Sequence, residues 1–160
     1  MMYDSKGGHS EEQIVVFSLH DQVYGVNIAS VLEIIRTESV TKVPGTPVFT
    51  EGIINLRGKV IPVMDLAVRF GMPPSDISDT TRVIIVEAGG VTIGMIVNSV
   101  SEVLRIPASN LEAIPALISG SSIEALRGVA LVDKRMVVLL DLGKLLYDEE
   151  KNRLREFEGN

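Results

Sequence analysis

The chain has 160 residues, a formal charge of −6 from 15 basic and 21 acidic side chains, and no cysteine. Disulfides, thiolate metal sites and a cysteine nucleophile are therefore excluded, and the acidic balance argues against nucleic acid or an anionic membrane surface as a partner. Hydrophobic residues make up 46% of the chain but aromatics only 4%, with no tryptophan, so the core must be built from Val, Ile and Leu, a composition that favours strands.

In chain order, residues 1–12 are polar, contain Gly7-Gly8 and follow neither the helix nor the strand period, so they read as a flexible tail. This start lacks the basic-then-apolar order of a signal peptide, and no apolar run approaches the roughly 18 residues of a membrane span. A cytoplasmic protein with no membrane insertion is expected. Ile14 to Leu19 and Val23 to Ile28, parted by His20-Asp21-Gln22, predict a first hairpin, with Gly25 inside a strand marking a bulge or a close backbone approach. Ala29 to Arg36 predicts one helical turn leading into a strand. Val40 to Val43 is a short extended piece, and Pro44-Gly45-Thr46-Pro47 a loop held by its prolines.

The segment from Gly52 to Leu66 predicts a second hairpin turning at Arg57-Gly58. Pro62 cannot donate to a ladder, so its strand should be an edge there or turn that position away from its partner. Asp65 is placed to cap the first free amides of a short helix. Gly71 to Asp79 is the linker. Arg82 to Glu87 and Val91 to Val97, joined by Ala88-Gly89-Gly90, predict a third hairpin. Glu102 to Ile106 is extended, and Pro107 to Ser122 an irregular connection. Ile123 to Val132 and Arg135 to Leu140 form a last hairpin turning at Asp133-Lys134, followed by a second capping Asp141 and a C-terminal helix with one apolar face.

The chain repeats itself. Gly25 to Arg36 aligns with Gly94 to Arg105 at an offset of 69 residues (94 − 25), with Gly, Ser-Val, Glu and Arg falling in the same order. Val63-Met64-Asp65-Leu66 aligns with Leu139-Leu140-Asp141-Leu142 at an offset of 76 (141 − 65), and Gly52 with Gly128. The expected plan is two similar β modules, residues 13–80 and 81–142, with residues 143–160 forming a C-terminal helix and tail.

Groups with catalytic work to do are scarce. His9 lies in the tail and His20 in a hairpin turn, so neither is set up as a buried general base; capping accounts for Asp65 and Asp141; and no Gly-rich turn ends in Lys-Ser or Lys-Thr. No catalytic residue, metal site or cofactor is expected. Arg57 reads as solvated surface or as an interface contact, a place where arginine is enriched. Because the second copy carries Asp133-Lys134 at this turn, the architecture does not require Arg57-Gly58. The apolar set Val31, Ile34, Val100 and Val103 reads as core, Ile34 and Val103 above all. Val31 and Val100 have a second reading as the walls of an apolar groove at the module junction, fit for a partner helix.

Val31-Leu32-Glu33-Ile34, Val43-Pro44, Gly52-Ile53-Ile54-Asn55-Leu56-Arg57-Gly58, Pro62-Val63-Met64-Asp65-Leu66 and Gly94-Met95-Ile96-Val97 together resemble the CheW family of bacterial chemotaxis coupling proteins, over about Gln13 to Tyr147. The resemblance implies a mainly β fold of two tandem SH3-like five-stranded barrels packed on a shared apolar interface. It implies a non-catalytic adaptor that bridges the cytoplasmic hairpin tips of transmembrane chemoreceptors to the regulatory domain of the histidine kinase CheA, within membrane-associated signalling arrays. Carried over by motif, Val31, Glu33, Gly52, Asn55, Arg57, Val100 and Val103 surround receptor binding, and Val40, Val43 and Pro44 face the kinase. The chain leaves no room for the receiver domain of CheV-type proteins, so a stand-alone coupler is expected, monomeric when isolated. The alternative is a small β-barrel enzyme or ligand-binding protein that uses the inter-module groove.

Overall fold

The computed structural model describes residues 11–37, 40–42, 50–112 and 125–158. The strands are β1 (Glu11–Leu19), β2 (Gln22–Asn27), β3 (Val31–Arg36), β4 (Gly52–Leu56), β5 (Lys59–Asp65), β6 (Arg82–Glu87), β7 (Thr92–Val97), β8 (Ser99–Pro107), β9 (Leu111–Glu112), β10 (Leu126–Val132) and β11 (Arg135–Leu140). A short helix α1 (Leu66–Arg69) follows β5, and helix α2 (Asp148–Glu158) ends the chain. The single turn expected before β3 is a 3-10 turn at Ile28–Ser30, whose first free amide, on Ala29, donates to Asn27 Oδ1 at 2.8 Å. Strand β1 starts at Glu11, two residues before the expected onset of order, because Glu11 and Glu12 pair with Pro107 and Ile106 of β8.

The strands form two curled sheets, one ordered β9-β10-β11-β2-β1-β8 and the other β3-β6-β7-β5-β4. Each draws strands from both sides of residue 80: the hairpin β1–β2 joins the strands after residue 98, and the hairpin β6–β7 joins those before residue 66. The joins are parallel and equivalent under the repeat, Leu139 opposite Gly25 in one sheet and Val63 opposite Gly94 in the other. A side chain at Gly94 would bring its Cβ to 2.7 Å from Val83 Cγ1, so this glycine makes room for a neighbouring side chain and not for the close backbone approach read from the sequence. The two repeat units have in effect traded their first hairpins.

Both sheets close in the same way, with the segment after the edge strand crossing to the far edge. Thr41 and Ile53 exchange two backbone hydrogen bonds (2.7 and 2.8 Å), which carries the chain beyond β3 onto β4. In the other sheet, β9 carries the chain beyond β8 onto β10, with Glu112 opposite Val129. Closure covers the free edges and curls both sheets into barrels, the five-stranded one and the six-stranded one in which the short β9 continues β8. At both seams the repeat has placed a glycine. A Cβ on Gly52 would lie 2.6 Å from the Thr41 carbonyl oxygen, and one on Gly128 2.8 Å from that of Glu112.

Strand alternation then divides the apolar residues among three cores. Ile14, Val16, Ile106, Ala130, Val137 and Leu139 fill one barrel; Ile54, Ile61, Val63, Val83, Ile85 and Ile96 fill the other. The opposite faces, with Phe17, Leu19, Tyr24 and Val26 from one sheet and Met64, Ile84, Val86, Ile93 and Met95 from the other, meet in a larger core between the barrels. Central strands such as β6 and β7 are thus buried on both faces, which is why they read as unbroken apolar runs instead of alternating ones. Helix α2 caps this middle core with the fully buried Leu154.

Two details refine the sequence reading. Strand β5 is interior, between β7 and β4, but its parallel ladder to β7 begins at Val63, so at Pro62 the strand is paired on the β4 side alone, as the missing amide requires. Both aspartates cap as expected: Asp65 Oδ1 accepts from Ala67 N at 3.1 Å and Asp141 Oδ1 from Gly143 N at 2.9 Å.

Candidate partner-binding surface

The turn between β4 and β5 puts Arg57 and Gly58 at φ of 53° and 82°. Two successive positive φ angles make the tight turn whose twist suits a hairpin, and Gly58 takes the second without a side-chain penalty. Asn55 holds the turn, its Oδ1 accepting from Gly58 N at 2.9 Å. So presented, Arg57 reaches across the barrel opening to the opposite edge, where its Nη1 donates to Glu33 Oε1 of β3 at 2.7 Å. The arginine side chain is 76% exposed and the glutamate 28%. A pair this open contributes at most about 1 kcal/mol to stability, so its consequence is presentation of the guanidinium at the surface beside Glu33.

The second barrel repeats the device. Arg135, two residues beyond the position aligned with Arg57, donates through Nη2 to Glu102 Oε2 at 3.0 Å, and Glu102 is the repeat counterpart of Glu33. Its turn, Asp133-Lys134, has φ of 49° and 66° without a glycine. A bulge recurs too: the β3–β6 register shifts between Val31 and Glu33, and the β1–β8 register shifts at the equivalent place, between Val100 and Glu102. An extra residue switches faces along a strand. Before the bulge, Val31 and Val100 are half-buried against the core between the barrels; after it, each glutamate meets its arginine.

The same strands also leave apolar side chains in water, Ile34 and Val103 on the opposite strand face from the neighbouring glutamates. Ile34 is 39% and Val60 40% exposed in the first barrel; Val103, Leu131 and Met136 are 50%, 50% and 54% exposed in the second. Ile34 and Val103 are therefore surface residues, against the expectation that they are core. The strand period does not say which face of an apolar edge strand is covered, and here β3 and β8 each have a neighbour on one side only. Leu32 (55% exposed), Val60 and the Glu102–Arg135 pair escaped the sequence reading, although the paired glutamates of the repeat were a signal for the last.

Of the residues read as receptor-facing, Glu33, Asn55 and Arg57 are brought together at one barrel end. Val31 and Val100 lie inward, at the entries to the two edge strands. Gly52 is buried at the seam, so it acts through backbone fit and not by contact. Val103 lies on the other barrel. Of the kinase-facing set, Val40 packs on the core of the first-pair barrel next to the Thr41 seam, while Val43 and Pro44 fall outside the described residues.

Known proteins carry the same framework. The CheW-like domain profile matches residues 13–150. The chain is 34% identical to the chemotaxis protein CheW of Klebsiella aerogenes over 139 residues, covering 87% of this chain and 84% of that protein. It is 29% identical to the chemotaxis protein CheW of Bacillus subtilis, covering 89% and 90%. The solved scaffolding protein TtCheW from Thermoanaerobacter tengcongensis superposes with a TM-score of 0.79 at 40% identity, over 89% of this chain and 97% of that one. With its two interleaved barrels, repeated seams and a profile match over most of its length, the chain belongs to the CheW-like family.

Proposed function

We propose that this CheW-type chemotaxis scaffold couples the cytoplasmic hairpin tips of transmembrane chemoreceptors to the regulatory domain of the histidine kinase CheA, and that it is not itself an enzyme. The observation that carries the reading is the Arg57–Glu33 pair, an exposed charged group carried by a turn and an edge strand, on a barrel that also leaves Ile34 and Val60 exposed. Arginine amid exposed apolar side chains is the composition of a protein interface, and closed barrels keep two such surfaces at fixed spacing. On this reading the receptor contacts centre on Val31, Glu33, Asn55, Arg57, Val100 and Val103, with Gly52 shaping the seam, and the kinase contacts lie around Val40, Val43 and Pro44. The protein is monomeric when isolated and is recruited from the cytoplasm to membrane-associated arrays. No helix among the described residues is long and apolar enough to cross a membrane. The core between the barrels is filled by apolar side chains from both sheets, so the alternative of a ligand site in an inter-module groove gains no support.

Titration calorimetry of the full chain with a receptor cytoplasmic-tip fragment, and separately with the kinase regulatory domain, tests the proposal. Each should bind reversibly in the micromolar range, as signalling contacts of modest area do. Arg57→Glu places two acids face to face and should weaken receptor binding at least tenfold while circular dichroism stays that of the parent. Failure of both partners to bind the parent protein would leave the fold without this function.

A further inference from the structure

The two barrels differ at their mouths, and the repeat shows how. In the barrel that contains β1, the mouth is plugged by its own side chains: Glu12 Oε1 accepts from Arg127 Nη2 at 2.7 Å, and Glu12 Oε2 from Asn27 Nδ2 at 2.8 Å, leaving a cleft of about 330 Å³. Under the repeat, Glu12, Asn27 and Arg127 become Thr81, Ile96 and Glu51, which cannot form that network. The corresponding cleft in the other barrel is about 590 Å³.

Charge has changed along with shape. Arg36 and Arg82 stand directly opposite one another across β3 and β6, where the equivalent pair in the plugged barrel is Arg105 opposite Gln13. Like charges directly opposed in a sheet are destabilising. Both arginines line the wider cleft, with Lys42 beside them. Arg82 is held by Nη1, which donates to the carbonyl oxygens of Asp79 (2.7 Å) and Thr81 (2.8 Å). No carboxylate among the described residues lies within ion-pair distance of Arg36, Lys42 or Arg82. Three acids do line the cleft. Asp65 has both oxygens engaged by Ser75, and Glu51 and Asp79 reach no basic side chain among the described residues.

We propose that this mouth is an oxyanion pocket in which Arg36 and Arg82, with Lys42, take a carboxylate side chain offered by a protein partner. An incoming carboxylate relieves the opposition of the two guanidinium groups and accepts paired N–H bonds from them, the geometry for which arginine is suited. Only the identity of the donor, the kinase regulatory domain, rests on the adaptor reading.

Two measurements on the full chain decide it. Inorganic phosphate, the probe for the pocket itself, should raise the melting temperature by a few degrees over chloride at matched ionic strength, and Arg36→Gln should abolish that increment. Arg36→Gln should also melt slightly higher than the parent in chloride, since it removes the opposed charge. Calorimetry with the kinase regulatory domain should then show about fivefold to tenfold weaker binding for both Arg36→Gln and Lys42→Gln. A phosphate increment that is absent, or equal in parent and variant, overturns the pocket. An increment lost in the variant without any change in kinase-domain affinity overturns the partner carboxylate as its occupant. If the parent fails to bind the kinase domain at all, the adaptor reading fails, and the phosphate result still decides the pocket.

Discussion

Single residues at the seams and mouths set the shape on which everything else depends. At Gly52 the nearest obstacle to a side chain is a backbone carbonyl, which cannot move aside without breaking the Thr41–Ile53 bonds. Gly52→Asp should therefore cost about 2–4 kcal/mol through overpacking and a carboxylate pressed against an oxygen, and should weaken partner binding with it. Urea unfolding gives the first quantity and calorimetry the second; parental values for both would show that the seam tolerates opening. Glu12 makes a different case. Burial pushes its carboxyl up, but hydrogen bonds from Arg127 and Asn27 and the nearby guanidinium charge outweigh that and hold it below the usual 4.5. A depressed carboxylate stabilises the fold above its unfolded-state value, and that contribution is lost as pH falls through the folded one. The parent should thus lose up to about 1 kcal/mol more than Glu12→Gln between pH 6 and pH 3, the scale of a partly exposed pair. Parallel stability curves for the two proteins over that range would rule this out.

Among the elements, the C-terminal helix is the one whose attachment is most concentrated. Arg69 of α1 grips Glu150 through two bonds (2.6 and 2.5 Å), donates to the Leu145 carbonyl and lies 4.7 Å from the Tyr147 ring centroid, while Glu150 also accepts from Tyr147 N at the start of α2. These contacts orient the helix. The apolar anchor is Leu154, buried completely against strands of both sheets. Leu154→Ala should destabilise by about 2–4 kcal/mol, and amide exchange should quicken first in α2, where Leu154 is the buried side chain among the described ones. Uniform exchange across the protein would contradict that. That a helix ends the chain was legible in the sequence, but not its bounds: the leucine stripe on which it was read lies in the 3-10 turn Leu142–Lys144 and just after it, and α2 is the charged run Asp148–Glu158. The hairpins were legible because β-rich runs alternate with turn residues. The faces of β3 and β8 were not legible. Whether Ile34 or Val103 is covered depends on which strand comes alongside, and that is decided by partners remote in sequence.

At the scale of the molecule, the repeat told how many units there are but not how they are connected. Gly25 aligning with Gly94 and Val63 with Leu139 fits two consecutive barrels as well as two barrels that have exchanged hairpins, because the alignment is blind to which copy supplies the neighbour. The parallel joins decide for exchange: without β6–β7, strand β5 has no partner on its β7 side, and without β1–β2, β11 has none on its β2 side. Each half of the chain would leave bare a sheet face that the other half covers. Separate polypeptides 1–80 and 81–160 should therefore each lack the dispersed amide spectrum of a folded protein. Mixed at equal concentration they should recover it, with the circular dichroism of the intact chain. Had the barrels been consecutive, each half would fold alone and mixing would add nothing. By the same exchange the intact protein should unfold in one step, with near- and far-ultraviolet circular dichroism giving coincident transitions.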